Sequence, residues 1–183
     1  MRQESSFTRP SEFCPHPERW HANDEQATEI EVSEMIAGLV RALQPDFCLE
    51  TGTYDGQTTE AIGQALLKNG QGQLVSCEVN MPAVRAAKRR CQGLPVTIYN
   101  VSSHVYTPPQ PIDFALFDSD IRRADEFRRY SEWMHERTVV VFHDTAPHHV
   151  AIRTGVEELE GEGFIVAVTL PTPRGVTIAT VAR

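Results

Sequence analysis

The sequence predicts an α/β fold: a seven-stranded, mostly parallel β-sheet with helices on both faces and an antiparallel hairpin at its C-terminal end. Short apolar runs typical of buried strands alternate with segments of helical periodicity along most of the 183 residues. Such alternation is typical of a parallel sheet covered on both faces. Only the loop Leu170–Gly175 separates the last two runs. Because this loop is too short for a helical crossover, we expect those two strands to pair antiparallel.

The elements follow an irregular arm. Residues 1–23 are rich in proline, histidine and charge, and we interpret residues 24–183 as one domain. Apolar residues at helical spacing predict a first helix that begins at Asp24 and ends before Pro45. Strands are predicted at Phe47–Glu50, Leu74–Cys77, Val96–Tyr99, Phe114–Phe117, Val139–Phe142, Phe164–Val168 and Val176–Val181. The other predicted helices are Thr58–Lys68, Pro82–Cys91, a weak segment after Ser102, Arg123–Glu136 and His148–Glu160.

Composition excludes several classes of function. The formal net charge is −8, from 17 basic and 25 acidic residues, which disfavours binding to a phosphate backbone. No apolar run approaches the roughly 20 residues that a membrane helix needs, and Met1–Pro10 does not have the pattern of a secretory signal. The four cysteines lack the paired spacing of zinc or redox sites. We therefore expect a cytoplasmic protein that binds neither nucleic acid nor membrane.

The most informative stretch is the glycine loop that follows the first strand. The strand ends at Glu50, Gly52 and Gly56 follow, and a helix begins. Gly52 permits a tight turn close to a ligand, and Gly56 lets the loop enter the helix. A dinucleotide site has the spacing GxGxxG instead, and an acid at the strand end suits a cationic ligand better than a pyrophosphate. We include Thr51 and Thr53 in this candidate cofactor loop.

Four further residues belong to the same candidate cofactor site. Glu78 ends the second strand about 26 residues after Gly52, where Rossmann-like folds place the carboxylate that binds ribose hydroxyls. Ser102 and Ser103 follow the third strand and could bond to an adenine edge. Asp118, at the end of the fourth strand, lies at the same edge of the predicted sheet.

Acidic residues and a histidine follow the fourth and fifth strands. Asp118 and Asp120 follow one of them, and His143 and Asp144 follow the other. Strand ends at this edge of an open α/β sheet converge on the ligand cleft. Three ionised carboxylates there would repel one another without a cation, which suggests a divalent ion. Oxygen ligands favour magnesium, whereas the histidine leaves room for manganese or iron.

These motifs together resemble a known family. The glycine loop, the run Phe117–Asp120 and the run Val139–Asp144 are similar to those of the small metal-dependent O-methyltransferases. This family includes bacterial sugar and natural-product enzymes and, more distantly, catechol O-methyltransferase. The resemblance spans roughly residues 28–183. It implies the class I fold, in which a Rossmann-like parallel sheet ends in one antiparallel strand.

The resemblance also implies a cofactor and roles for single residues. The cofactor would be S-adenosylmethionine, and the acceptor a small hydroxylated metabolite such as a sugar or natural product. Asp118, His143 and Asp144 match the metal-binding positions, and Asp120 matches the general base. The histidine departs from the family's pair of acids at this point, so His143 could instead serve as a catalytic base.

Three other functions remain open from the residues alone, although features of the sequence argue against each. A non-catalytic S-adenosylmethionine-binding module would have no use for the convergent acids. A nicotinamide-dependent oxidoreductase would have a different glycine spacing and no C-terminal hairpin. A metal-dependent hydrolase would leave Glu50 and Glu78 without a role. Because no sizeable insertion precedes the last strand, we expect a modest-sized acceptor, or a homodimer that contributes one wall of the site.

Overall fold

The computed structural model describes residues 13–182 and has a central sheet of seven strands. The strands are β1 (Phe47–Thr51), β2 (Gln73–Glu78), β3 (Val96–Asn100), β4 (Ile112–Phe117), β5 (Met134–His143), β6 (Ile165–Leu170) and β7 (Val176–Val181). The helices are α1 (Ile30–Leu43), α2 (Gln57–Asn69), α3 (Met81–Arg90), α4 (Arg123–Tyr130) and α5 (Val150–Gly161), with short 3₁₀ turns at Pro17–Arg19 and Ser131–Trp133.

The strand order is β3-β2-β1-β4-β5-β7-β6. The first five strands run parallel, whereas β7 is antiparallel to both β5 and β6. The predicted fold class is therefore confirmed, including the C-terminal hairpin. The chain builds outward from β1 to β3 and then returns to β4 beside β1. The carboxyl ends of β1 and β4 consequently flank a topological switch point, where open α/β sheets bind their ligands.

Both faces of the central strands β1 and β4 are buried, as is typical of parallel strands. Alternate residues of β1 point to opposite sides because side chains of a strand alternate. Phe47 and Leu49 belong to the cluster that includes Phe127 and Tyr130 of α4. Cys48 belongs to the cluster formed with α1 and α2, which includes Ile36, Ile62 and Leu66. Rigid packing on both faces holds the strand ends, and hence the candidate site, in fixed positions.

The N-terminal part of the prediction needs a correction. The first helix begins at Ile30, six residues later than expected. The carboxylate of Asp24 accepts hydrogen bonds from the backbone nitrogens of Gln26 and Ala27, which makes a local turn in place of a helical one. Residues 1–12 of the predicted arm lie outside the described part of the chain.

Two predicted helices also differ. The link from β3 to β4 contains turns in place of the weak helix expected after Ser102, and its prolines at 108, 109 and 111 explain why. The helix predicted at Arg123–Glu136 ends at Tyr130, and β5 already begins at Met134. Met134 pairs with Ile112 before a register shift in the ladder.

Within residues 13–182, every helix is too short or too polar to cross a membrane.

Candidate active site

At Gly52 the loop that follows β1 packs tightly against the loop that follows β4. Its φ is +80°, and a Cβ at this position would lie 2.2 Å from the carbonyl oxygen of Asp118. Its backbone nitrogen also donates to the carbonyl of Cys77 in β2. Only glycine combines this backbone conformation with such close packing. The tight turn expected from the sequence is present. The close approach of the loop at Asp118 also requires glycine at this position, whether or not a ligand is bound.

Gly56 ends the same loop and caps α2. Its φ is +86°, and a Cβ there would lie 2.7 Å from the Cβ of Ala87 in α3. The glycine therefore lets the loop enter α2, as predicted, and lets α3 pack closely against the start of α2.

The Glu50 side chain is turned into the interior. It is 1% exposed, and its Oε2 accepts hydrogen bonds of 2.6 Å from the hydroxyls of Thr59 and Ser76. Burial raises the pKa of Glu50 to about 7, against the opposing effect of these two hydroxyls. Its hydrogen bonds join β1, β2 and α2, and the expected contact with a cationic ligand remains a prediction. Thr53 in the same loop also bonds Ser76.

Glu126 of α4 organises three loops around the candidate cleft, and sequence reasoning missed it. Its buried carboxylate accepts hydrogen bonds from the hydroxyls of Thr51, Ser103 and Ser119, at 3.0, 2.7 and 2.8 Å. Burial raises the pKa of Glu126, and these hydroxyls oppose the rise. The hydroxyl of Ser103 therefore donates to Glu126, and its expected contact with an adenine edge remains a prediction. The helical spacing between Glu126 and Tyr130, which lie four residues apart, was the available signal.

Glu78 and Ser102 lie at the expected edge of the sheet. The Glu78 carboxylate accepts hydrogen bonds from the backbone nitrogens of Tyr54, at 2.9 Å, and of Asn80, at 2.7 Å. It therefore supports the glycine loop from the end of β2. Ser102 is half-buried, and its hydroxyl accepts a bond from the nitrogen of His104. The proposed contacts of both residues with a cofactor remain predictions.

A small cavity of about 40 Å³ lies at the switch point. It is lined by Gly52, Tyr54 and Asp118 on the sheet side and by residues 26–28 on the other. Thr28 holds this segment in place: its hydroxyl donates to Asp118 at 2.9 Å, and its carbonyl accepts from Gln57. We call residues 24–28 the covering segment.

Next to this cavity, the three predicted metal-binding residues converge. Asp118, His143 and Asp144 each offer one ligand atom, and these atoms lie within 4.8 Å of one another. The ends of β4 and β5 place them there, and Asp144 has a left-handed φ of +63°. Asp120, the predicted general base, is exposed and is not a member of this cluster.

Two arginines that the sequence analysis left unassigned neutralise the carboxylates. Nη2 of Arg123 lies 3.1 Å from an oxygen of Asp118 and 3.1 Å from an oxygen of Asp144. Nε of Arg174, in the loop between β6 and β7, lies 2.6 Å from the second oxygen of Asp144. The cation that the acids were expected to require is thus supplied by the chain itself.

His143 is held between two carboxylates. Its Nδ1 lies 3.0 Å from Asp118, and its Nε2 lies 2.9 Å from the buried Glu29. Burial disfavours the charged imidazole, but Asp118, Glu29 and Asp144 outweigh it and raise the pKa of His143. Burial likewise disfavours ionised Asp144, yet His143, Arg174 and Arg123 hold its pKa below the usual range.

This donor set does not fit a divalent metal in the present arrangement. Both ring nitrogens of His143 already contact carboxylates, and the point shared by Asp118 and Asp144 is taken by Arg123. Glu29 and Arg174 were not foreseen, since one precedes a helix and the other lies in a short loop, and neither sits in a recognisable motif.

Comparison with known proteins agrees with this geometry. The family described as "Methyltransferase domain" matches residues 49–145, just over half of the chain, and includes the glycine loop and both acidic strand ends. No curated protein matches the sequence significantly.

Solved structures share the fold at low identity. A Klebsiella pneumoniae protein, provisionally assigned as an O-methyltransferase, has a TM-score of 0.76 and 19% identity over 87% of this chain and 84% of its own. The Bacillus cereus O-methyltransferase in complex with S-adenosylhomocysteine has a TM-score of 0.74 and 17% identity, with 86% and 84% covered. TomG from Streptomyces achromogenes, an O-methyltransferase of tomaymycin synthesis solved with S-adenosylmethionine, has a TM-score of 0.72 and 18% identity, with 87% and 83% covered.

The sheet order, the glycine loop at the switch point and the family match over residues 49–145 lead to one conclusion. The chain belongs to the methyltransferase-domain family and is a methyltransferase of the class I fold.

Proposed function

We propose that the protein transfers a methyl group from S-adenosylmethionine to a hydroxyl oxygen of a small metabolite, such as a sugar or natural product. One observation carries the proposal. The glycine loop and Asp118 meet across a cavity at the switch point, with Glu78 at the end of the adjacent strand. The O-methyltransferases from Bacillus cereus and Streptomyces achromogenes, which hold this cofactor or its product, support the choice.

The residues divide the cofactor between them. Glu78, at the end of β2, would accept hydrogen bonds from the ribose hydroxyls. Asp118 lines the cavity, and Arg123 and His143 contact its Oδ1. Its Oδ2, which accepts the hydroxyl of Thr28, would accept a hydrogen bond from the methionine ammonium group. Gly52 would let the backbone approach the ligand closely, whereas Glu50 supports the loop from the interior.

The covering segment would act on the same cofactor. Ligand pockets usually measure roughly 300–1,000 Å³, so a cavity of about 40 Å³ cannot admit a nucleoside unless residues 24–28 move. After the cofactor enters, the hydroxyl of Thr28 and the Asp24–Tyr54 bond provide contacts with which the segment can close again. A closed segment would exclude water from the transfer step.

The reaction is an in-line displacement. The acceptor oxygen attacks the methyl carbon, the carbon–sulfur bond breaks with its electron pair going to sulfur, and S-adenosylhomocysteine leaves. The hydroxyl proton must go to a base, and exposed Asp120, two residues beyond Asp118, is our candidate. Most of the rate enhancement would come from holding oxygen, carbon and sulfur in line.

Metal assistance was part of the sequence prediction, and one observation favours it. The ligand atoms of Asp118, His143 and Asp144 lie within 4.8 Å of one another. Arg123 and the protonated state of His143 weigh against it. No step of the proposed methyl transfer therefore uses a metal.

Calorimetry with S-adenosylhomocysteine tests the proposal. We expect the wild type to bind it, and Glu78→Gln to bind about ten- to a hundredfold more weakly because a charge-assisted bond is lost. Glu34→Gln, which changes an exposed glutamate of α1, is the matched control. Binding of NAD in preference to S-adenosylhomocysteine, or no binding of either, would refute the proposed function. Methyl transfer to a panel of hydroxylated metabolites then identifies the acceptor.

A further inference from the structure

One nitrogen atom of Arg123 lies where two carboxylates would share a cation. Nη2 is 3.1 Å from Asp118 and 3.1 Å from Asp144, and the residue is 2% exposed. The other terminal nitrogen, Nη1, donates to the carbonyl of Ile121 at 3.0 Å. Arg123 is also the first residue of α4, so the helix fixes its backbone. The guanidinium is therefore part of the packed interior and not a surface group that has swung inward.

The remaining ligand positions are also taken. Nδ1 and Nε2 of His143 contact Asp118 and Glu29, so no ring nitrogen faces an open position. The second oxygen of Asp144 binds Nε of Arg174 at 2.6 Å. A metal would have to displace at least one of these contacts before it could gain a ligand.

The chain already supplies cations to both aspartates of the cluster. Arg123 contacts Asp118 and Asp144, and Arg174 contacts Asp144. A divalent ion added here would place two further positive charges beside these guanidinium groups in a buried region. A divalent ion that displaced Arg123 would instead leave a buried guanidinium without its partners, which is strongly unfavourable.

We propose that Arg123 permanently occupies the position of a divalent ion between Asp118 and Asp144, so that the wild-type protein binds no metal here and loss of the guanidinium creates a metal site. The inference concerns the site of the proposed function, but its metal-binding half stands independently of it. Arg123 is thus a positioning residue, which holds both strand ends beside the cofactor cleft by the charge that a metal would otherwise supply.

Electron paramagnetic resonance of Mn²⁺ tests this directly, because bound Mn²⁺ loses the sharp signal of the free ion. We expect no detectable Mn²⁺ binding by the wild type. Arg123→Met keeps the bulk and removes the charge, and it should bind Mn²⁺ at least about tenfold more tightly than the weakest affinity that the measurement can detect. Arg123→Lys keeps a cation and should behave like the wild type. Adding Asp144→Asn to Arg123→Met should abolish the gain.

Two outcomes overturn the inference: wild-type Mn²⁺ binding that Asp144→Asn removes, or a folded Arg123→Met variant that gains none. If Arg123→Met does not fold, the wild-type titration decides alone, since absence of binding supports the inference and binding that depends on Asp144 refutes it. These readouts require neither cofactor nor acceptor. Failure of S-adenosylhomocysteine binding would refute the proposed function and leave this result intact.

Discussion

Oε2 of Glu29 lies 2.9 Å from Nε2 of His143, and both side chains are buried. The two residues are 114 positions apart in the chain. Their contact joins the start of α1 to the end of β5. Since the covering segment directly precedes Glu29, this ion pair also fixes where residues 24–28 cross the cofactor cleft. The second oxygen of Glu29 accepts a hydrogen bond from the backbone nitrogen of Arg174, which brings the β6–β7 loop to the same point.

Glu29→Gln should therefore destabilise the protein. The amide keeps the shape but leaves protonated His143 with one counter-charge fewer, and breaking a buried pair costs about 3–5 kcal/mol. Urea denaturation measures the change in the free energy of unfolding. In the double variant Glu29→Gln/His143→Gln, the loss should be smaller than the sum of the two single losses. Additive effects would show that the contact does not stabilise the fold.

Glu126→Gln should loosen three loops at once. The carboxylate accepts the hydroxyls of Thr51, Ser103 and Ser119, whereas an amide has a single acceptor oxygen for them. We expect the free energy of unfolding to fall by about 2 kcal/mol and the affinity for S-adenosylhomocysteine to fall with it. Asp125→Asn changes the exposed neighbour on α4 and serves as the control. Unchanged stability and affinity in Glu126→Gln would remove this residue from the support of the site.

Glu50 should make stability depend on pH near neutrality. Burial raises its folded-state pKa to about 7, above the ordinary 4.5, so its contribution is fully present below pH 4.5 and is lost as pH rises through about 7. The loss amounts to about 3 kcal/mol. Relative to Glu50→Gln, which does not titrate, the wild type should lose this stability over that range. A difference between the two that stays constant with pH would contradict the raised pKa.

The sequence predicts the sheet well because its signals are local. Apolar runs mark each strand, most of them next to a glycine or a proline, and the short Leu170–Gly175 link fixes the antiparallel hairpin. The termini of helices were less predictable. Asp24 makes a turn because its side chain bonds to the backbone, a choice that helical periodicity cannot reveal.

The sequence predicts only the part of the candidate site that the strand ends supply. The strand ends bring Asp118, His143 and Asp144 together because topology alone places them at one edge. The partners of these residues come from distant segments: Glu29 precedes α1, and Arg174 lies in the last loop. No spacing rule connects residues 29, 123 and 174, so the sequence showed Asp118, His143 and Asp144 but not the charged side chains that contact them.

Two side chains are our candidates for the general base. Asp120 is exposed in the loop after β4, and the resemblance to O-methyltransferases implies that it is the base. His149, just before α5, has an Nε2 without a hydrogen-bond partner among residues 13–182, 3.5 Å from Asp144. Burial lowers the pKa of His149, although Asp144 opposes this, so the imidazole is neutral at pH 7 and able to accept a proton.

Asp120→Asn should lower turnover by about 10²–10⁴-fold, the usual contribution of a general base, because the acceptor hydroxyl keeps its proton. Its affinity for S-adenosylhomocysteine and its stability should match the wild type, since the exposed carboxylate lies outside the ion-pair cluster. The parallel variant His149→Gln should change turnover by less than about tenfold, because Asp120, and not the ring of His149, is the group expected to accept the proton. Single-turnover methyl transfer at saturating cofactor measures both variants. The opposite ranking, with His149→Gln the more damaging, would move the base from β4 to the start of α5.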